Sequence, residues 1–254
     1  MADDVVRRAA RRARRLVSGP PPQHNMHAHP GELFYYEQYL RVLAPHLAGR
    51  VLDVGCQYGR FAIPLADQGV DVVATDLDQA CLDYVAEQAP TVETRLEPVD
   101  QTIATGGTFD AVLCLEVLYL VPTWQQVVAG LGGLIAPDGR LAVSHRSQGY
   151  LVHRLLKEQR YDELDQVLGG THPQLNAQTP EELEIAYAAA GLTVEDIVPI
   201  GALSGIEVDP FAAVTDPARL AAKDREALLR FETDPVLQGR YRDSARYLLV
   251  VARR

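Results

Sequence analysis

Residues 51–59 of this chain read VLDVGCQYG, and this short stretch decides which fold the sequence encodes. The mostly apolar run from Val51 to Val54 predicts a buried strand that leads straight into a glycine-rich turn. Glycine at positions 55 and 59 allows backbone conformations, and a close approach of a ligand, that a side chain would block. The amphipathic segment from Arg60 to Ala66 predicts a helix, whose first N–H groups lack partners within the helix. The stretch therefore predicts a strand, a turn and a helix that together bind a small ligand.

A carboxylate at the end of the next predicted strand narrows the class of ligand. Residues 72–75 (VVAT) form that strand, and Asp76, which follows them, can accept hydrogen bonds from both hydroxyls of a ribose. The dinucleotide pattern G-x-G-x-x-G is absent, because its second and third glycine positions hold Gln57 and Arg60. Asp53, before the turn, would repel a pyrophosphate but attract a cationic sulfonium or ammonium group. A nucleoside without phosphates is therefore the better fit.

The rest of the chain alternates short apolar runs with amphipathic segments, which is typical of a mostly parallel sheet covered by helices. Predicted strands lie at 50–54, 71–75, 92–96, 110–115, 140–144, 193–200 and 246–252. Predicted helices lie at 32–47, 59–68, 79–88, 123–135 and 181–190, with one or two more within 149–170. The predicted fold class is α/β: a Rossmann-like seven-stranded mostly parallel sheet with helices on both faces, an N-terminal helical cap and inserted helices.

Two of these helices begin with the pattern of a capping box. Thr123 with Gln126, and Thr179 with Glu182, place a threonine three residues before a Gln or Glu. In this motif the hydroxyl and the longer side chain each accept a hydrogen bond from the other residue's backbone N–H. We expect both boxes to form.

The charge and the hydropathy of the chain limit its partners. Its 254 residues carry 24 Lys and Arg against 34 Asp and Glu, for a formal net charge of -10. An acidic body repels phosphate backbones, which argues against nucleic acid as the main partner. Six arginines crowd residues 1–17, and we interpret this arm as a solvated helix. No apolar run approaches the roughly 18 residues of a spanning helix, so we expect a cytoplasmic protein with no membrane anchor.

Three cysteines, Cys56, Cys81 and Cys114, lie in apolar surroundings without paired spacing. This pattern indicates reduced thiols in the core. We expect no disulfide framework and no metal site.

Four motifs, in order and at family spacing, resemble those of class I S-adenosylmethionine-dependent methyltransferases. The resembling stretches are VLDVGCQYG at 51–59, VATDLD at 73–78, FDAVLCLEVLYLV at 109–121 and LIAPDGRLAV at 134–143. The resemblance implies S-adenosylmethionine (SAM) as the cofactor. It also implies that residues 1–48 form a basic arm and helical cap, and that 49–254 form the methyltransferase domain, with helical insertions near 146–178 and 201–240.

The resemblance further implies a role for individual residues. Gly55, Cys56 and Gly59 would line the methionine part of the cofactor, Asp53 would contact its amino group, Asp76 would hold the ribose and Leu77 would pack against adenine. Asp100 would meet the adenine amino group, with Glu97 as a competitor, while Leu115 and Glu116 would border the sulfonium. Independently of the resemblance, we expect Tyr35 or Tyr36 of the cap to reach the cofactor. The family commonly has glycine at the position of Gln57, so we expect Gln57 to take a negative φ or to accept strain.

Methyl transfer is an in-line displacement that depends mainly on alignment and on exclusion of water. A general base is needed only if the acceptor must lose a proton. His145, directly after the fifth predicted strand, is the first candidate for that base and Tyr119 the second. His145 is interpreted equally well as a hydrogen-bonded histidine that shapes a loop.

The acceptor is inferred by elimination. The sequence has no acid-and-Asn metal site of the catechol type, no Asn-Pro-Pro-aromatic tetrapeptide and no appended RNA-binding module. We therefore expect methylation of an oxygen or nitrogen of a small-molecule metabolite, in secondary metabolism. The alternatives are a tRNA or protein methyltransferase guided by the arginine arm, and a non-catalytic SAM-binding protein. The arm and the inserted helices are candidate surfaces for a homodimer.

Overall fold

The computed structural model describes residues 30–172, 176–205 and 215–254. The predicted arginine-rich helix therefore lies outside the described residues. Seven strands form one sheet: β1 (Arg50–Val54), β2 (Asp71–Asp76), β3 (Glu93–Leu96), β4 (Phe109–Cys114), β5 (Ile135–Arg146), β6 (Thr193–Ile200) and β7 (Tyr247–Arg253). Their order is β3-β2-β1-β4-β5-β7-β6, and only β7 runs antiparallel to its neighbours. The predicted seven-stranded, mostly parallel sheet is confirmed.

Helices cover both faces of this sheet, because successive side chains of each strand point to opposite sides. The helices are α1 (Pro30–Leu43), α2 (Ala62–Asp67), α3 (Gln79–Gln88), α4 (Val99–Thr105), α5 (Trp124–Gly132), α6 (Gln148–Lys157), α7 (Tyr161–Leu168), α8 (Pro180–Ala189), α9 (Ala222–Glu232) and α10 (Pro235–Tyr241). On one face, which we call the α1 face, α1, α2 and α3 pack against buried residues such as Val51 and Leu113. On the other, the α5 face, α5 and α8 pack against residues such as Leu52 and Val112.

The two predicted capping boxes differ in the structure. Thr179 has an extended backbone (ψ 161°), and its hydroxyl and the Glu182 carboxylate both make the expected bonds. Thr123 has ψ 32°, and its side chain makes no capping hydrogen bond. A capping side chain reaches back only when its own backbone is extended, so the prediction at Thr123 is wrong for a local conformational reason.

Strand β5 begins earlier than the sequence predicts. Ile135 already pairs with Phe109, and the register shifts between Phe109 and Ala111, so residues 137–139, which precede the predicted strand at 140–144, lie inside β5 at an irregularity. The sequence pattern predicted only the regular part from residue 140 onward.

The strand order places a crevice between β1 and β4. The chain adds strands outward from β1 in one direction and from β4 in the other, and ligands of such sheets bind outside the carboxyl ends of the strands at this switch point. The turn after β1 and the loop after β4 both open there. Among the described residues, no helix is long and apolar enough to cross a membrane.

Candidate functional site

The turn after β1 is tied to the end of β2. The N–H groups of Gly55 and Cys56 both donate to the carbonyl of Thr75, at 2.8 and 3.0 Å. Gly55 and Gly59 have φ values of 75° and 76°, which glycine adopts without strain. A Cβ on Gly55 would lie 2.6 Å from a methyl group of Val117, so the loop after β4 closes directly onto this turn.

Gln57 has φ 49°, so it does not take the negative φ that was one of its two expected outcomes. Its N–H donates to Asp76 Oδ2 at 2.9 Å, which ties the strained residue to the end of β2. Glu116 has φ 60°, and it also borders the crevice. Two of the three non-glycine residues with positive φ in the described ranges therefore flank this site, where backbone strain often concentrates.

Asp76 lies at the carboxyl end of β2 and organises the turn around itself. Its two carboxylate oxygens accept the N–H groups of Gln57 and Asp78, each at 2.9 Å. Burial raises the pKa of Asp76, and these hydrogen bonds oppose the shift. Leu77 is 41% exposed beside it, on the open side of the crevice. The carboxylate and the apolar side chain thus adjoin each other as the sequence predicts.

Asp53 lies at the bottom of a narrow pocket. The pocket is lined by Asp53, Gly55, Cys56, Gln57, Arg60, Phe61 and Leu115. Four of these were predicted from the sequence as cofactor ligands. Asp53 is buried, and its Oδ2 has no hydrogen-bond partner among the described residues. Burial raises its pKa to about 7, and the Arg60 guanidinium opposes the shift. A buried carboxylate oxygen at the lining of this pocket suits a cationic ligand group.

Arg60 and Phe61 were not predicted as site residues. The Arg60 guanidinium forms an ion pair with Glu116 at 3.1 Å across the crevice. Burial opposes ionisation of Glu116, but Arg60, Arg246 and Arg146 hold the pKa of its carboxyl below the ordinary value. The sequence signal for Arg60 is its position directly after Gly59, the last glycine of the turn; this position also argues against a dinucleotide.

The adenine end of the site differs from the prediction. Asp100 is exposed in the first turn of α4. The backbone of Glu97 contacts the end of β2 directly, since its N–H donates to the backbone carbonyl of Asp76 at 3.1 Å. Its Oε2 is buried without a hydrogen-bond partner among the described residues. The structure therefore favours Glu97, the competitor, as the acidic group beside an adenine.

Tyr36, on α1, packs against Phe61 of the pocket, and the side chain of Tyr35 points elsewhere. Tyr35 is buried against Gly201, and its hydroxyl donates to the carbonyl of Ser204 at 3.2 Å. The predicted contact of Tyr35 with the cofactor is not supported by this position. Tyr36 packs on the ring of Phe61, with ring centroids 5.2 Å apart, and Asp53 and Arg60 both influence its pKa. A helical turn places neighbouring residues about 100° apart, which separates the two side chains.

His145 lies on the α5 face of the sheet, away from the crevice. It is fully buried against Trp124, its Nδ1 bonds Gln178 Oε1 at 3.3 Å, and its Nε2 bonds the Tyr187 hydroxyl at 2.9 Å. Burial lowers its pKa to about 3, and the bond to Gln178 opposes this shift. Both ring nitrogens already make hydrogen bonds, and the ring is buried on the α5 face, so this position does not support the predicted role as general base. The position favours the second interpretation, a hydrogen-bonded structural histidine.

Replacement of His145 by alanine tests this correction. We expect the free energy of unfolding to fall by about 3 kcal/mol, because a packed ring and two buried hydrogen bonds are lost. His153→Ala, on the exposed side of α6, is the matched control and should change stability by less than about 0.5 kcal/mol. Urea unfolding measures the free energy of unfolding of both variants. An equally small loss in His145→Ala and His153→Ala would contradict the structural role of His145.

Tyr119 remains beside the crevice. It follows β4, is half-buried, and its ring lies 6.2 Å from that of Tyr247. The Arg146 guanidinium lies 4.8 Å from the ring of Tyr119. On this side of the pocket, then, Tyr119, Arg146 and Tyr247 form one cluster next to Glu116.

A family model described as a methyltransferase domain matches residues 9–197, which is most of the chain and includes strands β1 to β5 and every residue that lines the pocket. This chain is a class I SAM-dependent methyltransferase. Structures with the same fold include a SAM-dependent methyltransferase from Mesorhizobium loti, with TM-score 0.58 at 18% identity, covering 87% of this chain and 98% of that one. Another is the magnesium protoporphyrin IX methyltransferase from Synechocystis with bound S-adenosylhomocysteine (SAH). Its TM-score is 0.56 at 17% identity, and the match covers 100% of this chain and 97% of that one.

Curated relatives of this methyltransferase are also enzymes of this kind. It is 30% identical over 204 residues to a protein of Xylella fastidiosa named ubiquinone biosynthesis O-methyltransferase, with 77% of this chain and 79% of that protein covered. A protein of the same name from Xanthomonas axonopodis is 28% identical over 231 residues, with 88% and 90% covered. The methyltransferase therefore spans most of the length of these relatives.

Proposed function

We propose that this methyltransferase transfers the methyl group of SAM to an oxygen atom of a small-molecule acceptor. The observation that carries the proposal is the similarity to proteins named O-methyltransferases, at about 30% identity over three quarters or more of the chain. Their names refer to ubiquinone biosynthesis, so they do not support the expected place in secondary metabolism.

The residues of the pocket fit SAM. Asp76 would accept the ribose hydroxyls, Leu77 would cover the adenine, and Glu97 or Asp100 would accept its amino group. Gly55, Cys56 and Gly59 would leave room for the methionine part of SAM. Asp53 Oδ2, which has no hydrogen-bond partner among the described residues, would accept a hydrogen bond from the ammonium group of that methionine part. Leu115 and Glu116 would lie beside the sulfur, and Arg60 supplies a cation for the methionine carboxylate. When bound, SAM supplies a methyl group on a positively charged sulfur.

Because the position of His145 does not support a role as general base, the residues of this chain would act mainly by binding and aligning SAM and the acceptor and by excluding water. Glu116 is held ionised by its arginine neighbours and borders the predicted sulfonium position. Tyr119 would contact the acceptor from the loop after β4. An acceptor oxygen that is already ionised, or that ionises readily, needs no base from the protein.

The acceptor atom is tested by incubation with SAM carrying a labelled methyl group and with a panel of phenols, alcohols and amines. We expect label on phenolic or other hydroxyl oxygens, with one equivalent of SAH formed for each methyl transferred. Label on amine nitrogens alone would contradict O-methylation. Transfer to tRNA or protein, with none to small molecules, would contradict the small-molecule acceptor.

Binding of the cofactor should depend on pH through Asp53. Because the pKa of Asp53 is about 7 in the free protein, its carboxylate carries little charge at pH about 5.5 and gains charge as the pH rises. The ionised form attracts the ammonium group, so SAH affinity should rise by up to about tenfold per pH unit below 7 and then level off. Asp53→Asn should remove this dependence, and an equally flat profile in the wild-type protein would contradict the assignment. Calorimetric titrations between pH about 5.5 and 7 make the measurement.

A further inference from the structure

Arg146, the last residue of β5, is a buried cation beside the proposed acceptor position. Its side chain points to the α1 face, opposite to His145, and it is 7% exposed. Three tyrosine rings surround its guanidinium, with centroids 4.0 Å (Tyr247), 4.8 Å (Tyr119) and 4.9 Å (Tyr150) away. Such rings attract a cation through their faces, but they do not neutralise its charge.

The hydrogen bonds of Arg146 reach no carboxylate among the described residues, although its charge helps to lower the pKa of the nearby Glu116 carboxyl. Nη2 donates to the Tyr247 hydroxyl at 2.7 Å, and Nη1 makes a long contact of 3.5 Å with the carbonyl of Arg246. Across residues 30–172, 176–205 and 215–254, no carboxylate lies within ion-pair distance of Arg146. Glu116 is linked to it only through Tyr247, whose hydroxyl donates to Glu116 Oε2 at 3.2 Å. The carboxylate of Glu116 itself pairs with Arg60.

A buried guanidinium without a carboxylate is less favourable than a paired one, because its loss of hydration is not compensated by an opposite charge. Arginine has five N–H donors in a planar fork that matches a carboxylate, and two of them are used here. A planar anion would satisfy both the charge and the remaining donors. The neighbouring tyrosine rings would at the same time provide flat surfaces for an aromatic group.

The cluster lies on the acceptor side of the predicted sulfonium position. Ser144, two residues before Arg146 on the same face of β5, accepts the N–H of Glu116 at 2.5 Å. Glu116 follows Leu115, which lines the cofactor pocket. Tyr119 is half-buried, so the cluster borders the molecular surface on its side. An anion held by Arg146 would therefore adjoin the place where the methyl group is transferred.

We propose that Arg146, buried among Tyr119, Tyr150 and Tyr247 without a carboxylate partner, binds a carboxylate of the methyl acceptor and so selects aromatic acids as substrates. This inference rests on the proposed function, since it concerns the acceptor of the same site. The formal charge of the whole chain is -10, which disfavours anions elsewhere on its surface. The Arg146→Gln variant tests whether a preference for anions depends on this cluster.

The test measures binding of benzoate, benzyl alcohol and benzylamine to the full chain saturated with SAH, by calorimetry. We expect benzoate to bind at least about tenfold more tightly than the alcohol, and the amine to bind weakest, because a hydrogen-bonded ion pair replaces a neutral contact. Equal affinity for benzoate and benzyl alcohol would overturn the proposal. Absence of benzoate binding at millimolar concentration would overturn it as well.

Arg146→Gln should lower the benzoate affinity by roughly 10- to 100-fold while SAH affinity changes little. The matched control is Arg140→Gln, which removes the same charge from the same strand about 20 Å away, where Arg140 pairs with Glu195. Arg146→Lys, which keeps the charge but not the fork, should retain part of the preference. An unchanged benzoate affinity in Arg146→Gln, with SAH still bound, would overturn this inference and leave the proposed function intact. If the wild-type protein itself did not bind SAH, that result would instead contradict the proposed function.

Discussion

Asp76→Asn should weaken the binding of SAH by about 100-fold while the protein stays folded. Each hydrogen bond to a charged group contributes about 1.5 to 3 kcal/mol, and the two ribose hydroxyls would make two such bonds. Asparagine keeps the shape of the side chain but loses the charge, and its NH2 group cannot accept a hydrogen bond from a ribose hydroxyl or from the N–H groups of Gln57 and Asp78. Calorimetric titration of the variant with SAH measures the effect.

The control for this variant lies on the same strand. Asp71 begins β2, is exposed, and forms a surface ion pair with Arg50. Asp71→Asn removes the same charge at the opposite end of the strand and should leave SAH affinity unchanged. An Asp76→Asn variant that binds as tightly as the wild-type protein would show that this carboxylate is not a cofactor ligand.

Gly55→Ala should both destabilise the protein and prevent normal cofactor binding. A residue with a Cβ at φ 75° is unfavourable by about 1 to 2 kcal/mol. The new methyl group would also meet Val117 at 2.6 Å, and crowding of this kind in a packed region adds about 1 to 3 kcal/mol. Because Gly55 and the loop after β4 form opposite walls of the crevice, we expect SAH affinity to fall by at least about tenfold.

Gly69→Ala separates the two causes. Gly69 has φ 81°, but no atom of the described residues lies within 4 Å of its Cβ position. This variant should lose only about 1 to 2 kcal/mol of unfolding free energy and should bind SAH normally. Urea unfolding and SAH titration of both glycine variants make the comparison. Equal stability and equal affinity of the two would contradict the close approach of Val117 to the turn.

The sheet and the cofactor side of the site were predictable because their signals are local. The alternation of apolar runs predicted all seven strands, and the glycine turn followed by Asp76 predicted where the crevice opens. Asp53, Gly55, Cys56 and Leu115 line one pocket as a consequence of strand order, which brings the ends of β1 and β4 together. These features need only the sequence of each segment and the general rule for parallel sheets.

The acceptor side was not predictable because it depends on which face each side chain takes. Along β5, Ser144 and Arg146 point to the α1 face and His145 points to the α5 face, as alternation requires. The sequence identifies the three neighbours but not the environment of each face, so the prediction named His145 and did not include Arg146. Tyr35 and Tyr36 likewise point in different directions from α1. The rings around Arg146 come from Tyr119, Tyr150 and Tyr247, which are far apart in the sequence, so the sequence does not show that they meet.

The most direct test of the central claim is a calorimetric titration of the full chain with SAM, SAH and NAD. We predict that SAM and SAH each bind at one site per chain. We also predict that NAD does not bind, because Gln57 and Arg60 replace the glycines that a pyrophosphate requires. Binding of NAD without SAM or SAH, or binding of none of the three, would contradict the assignment of this crevice as a SAM site.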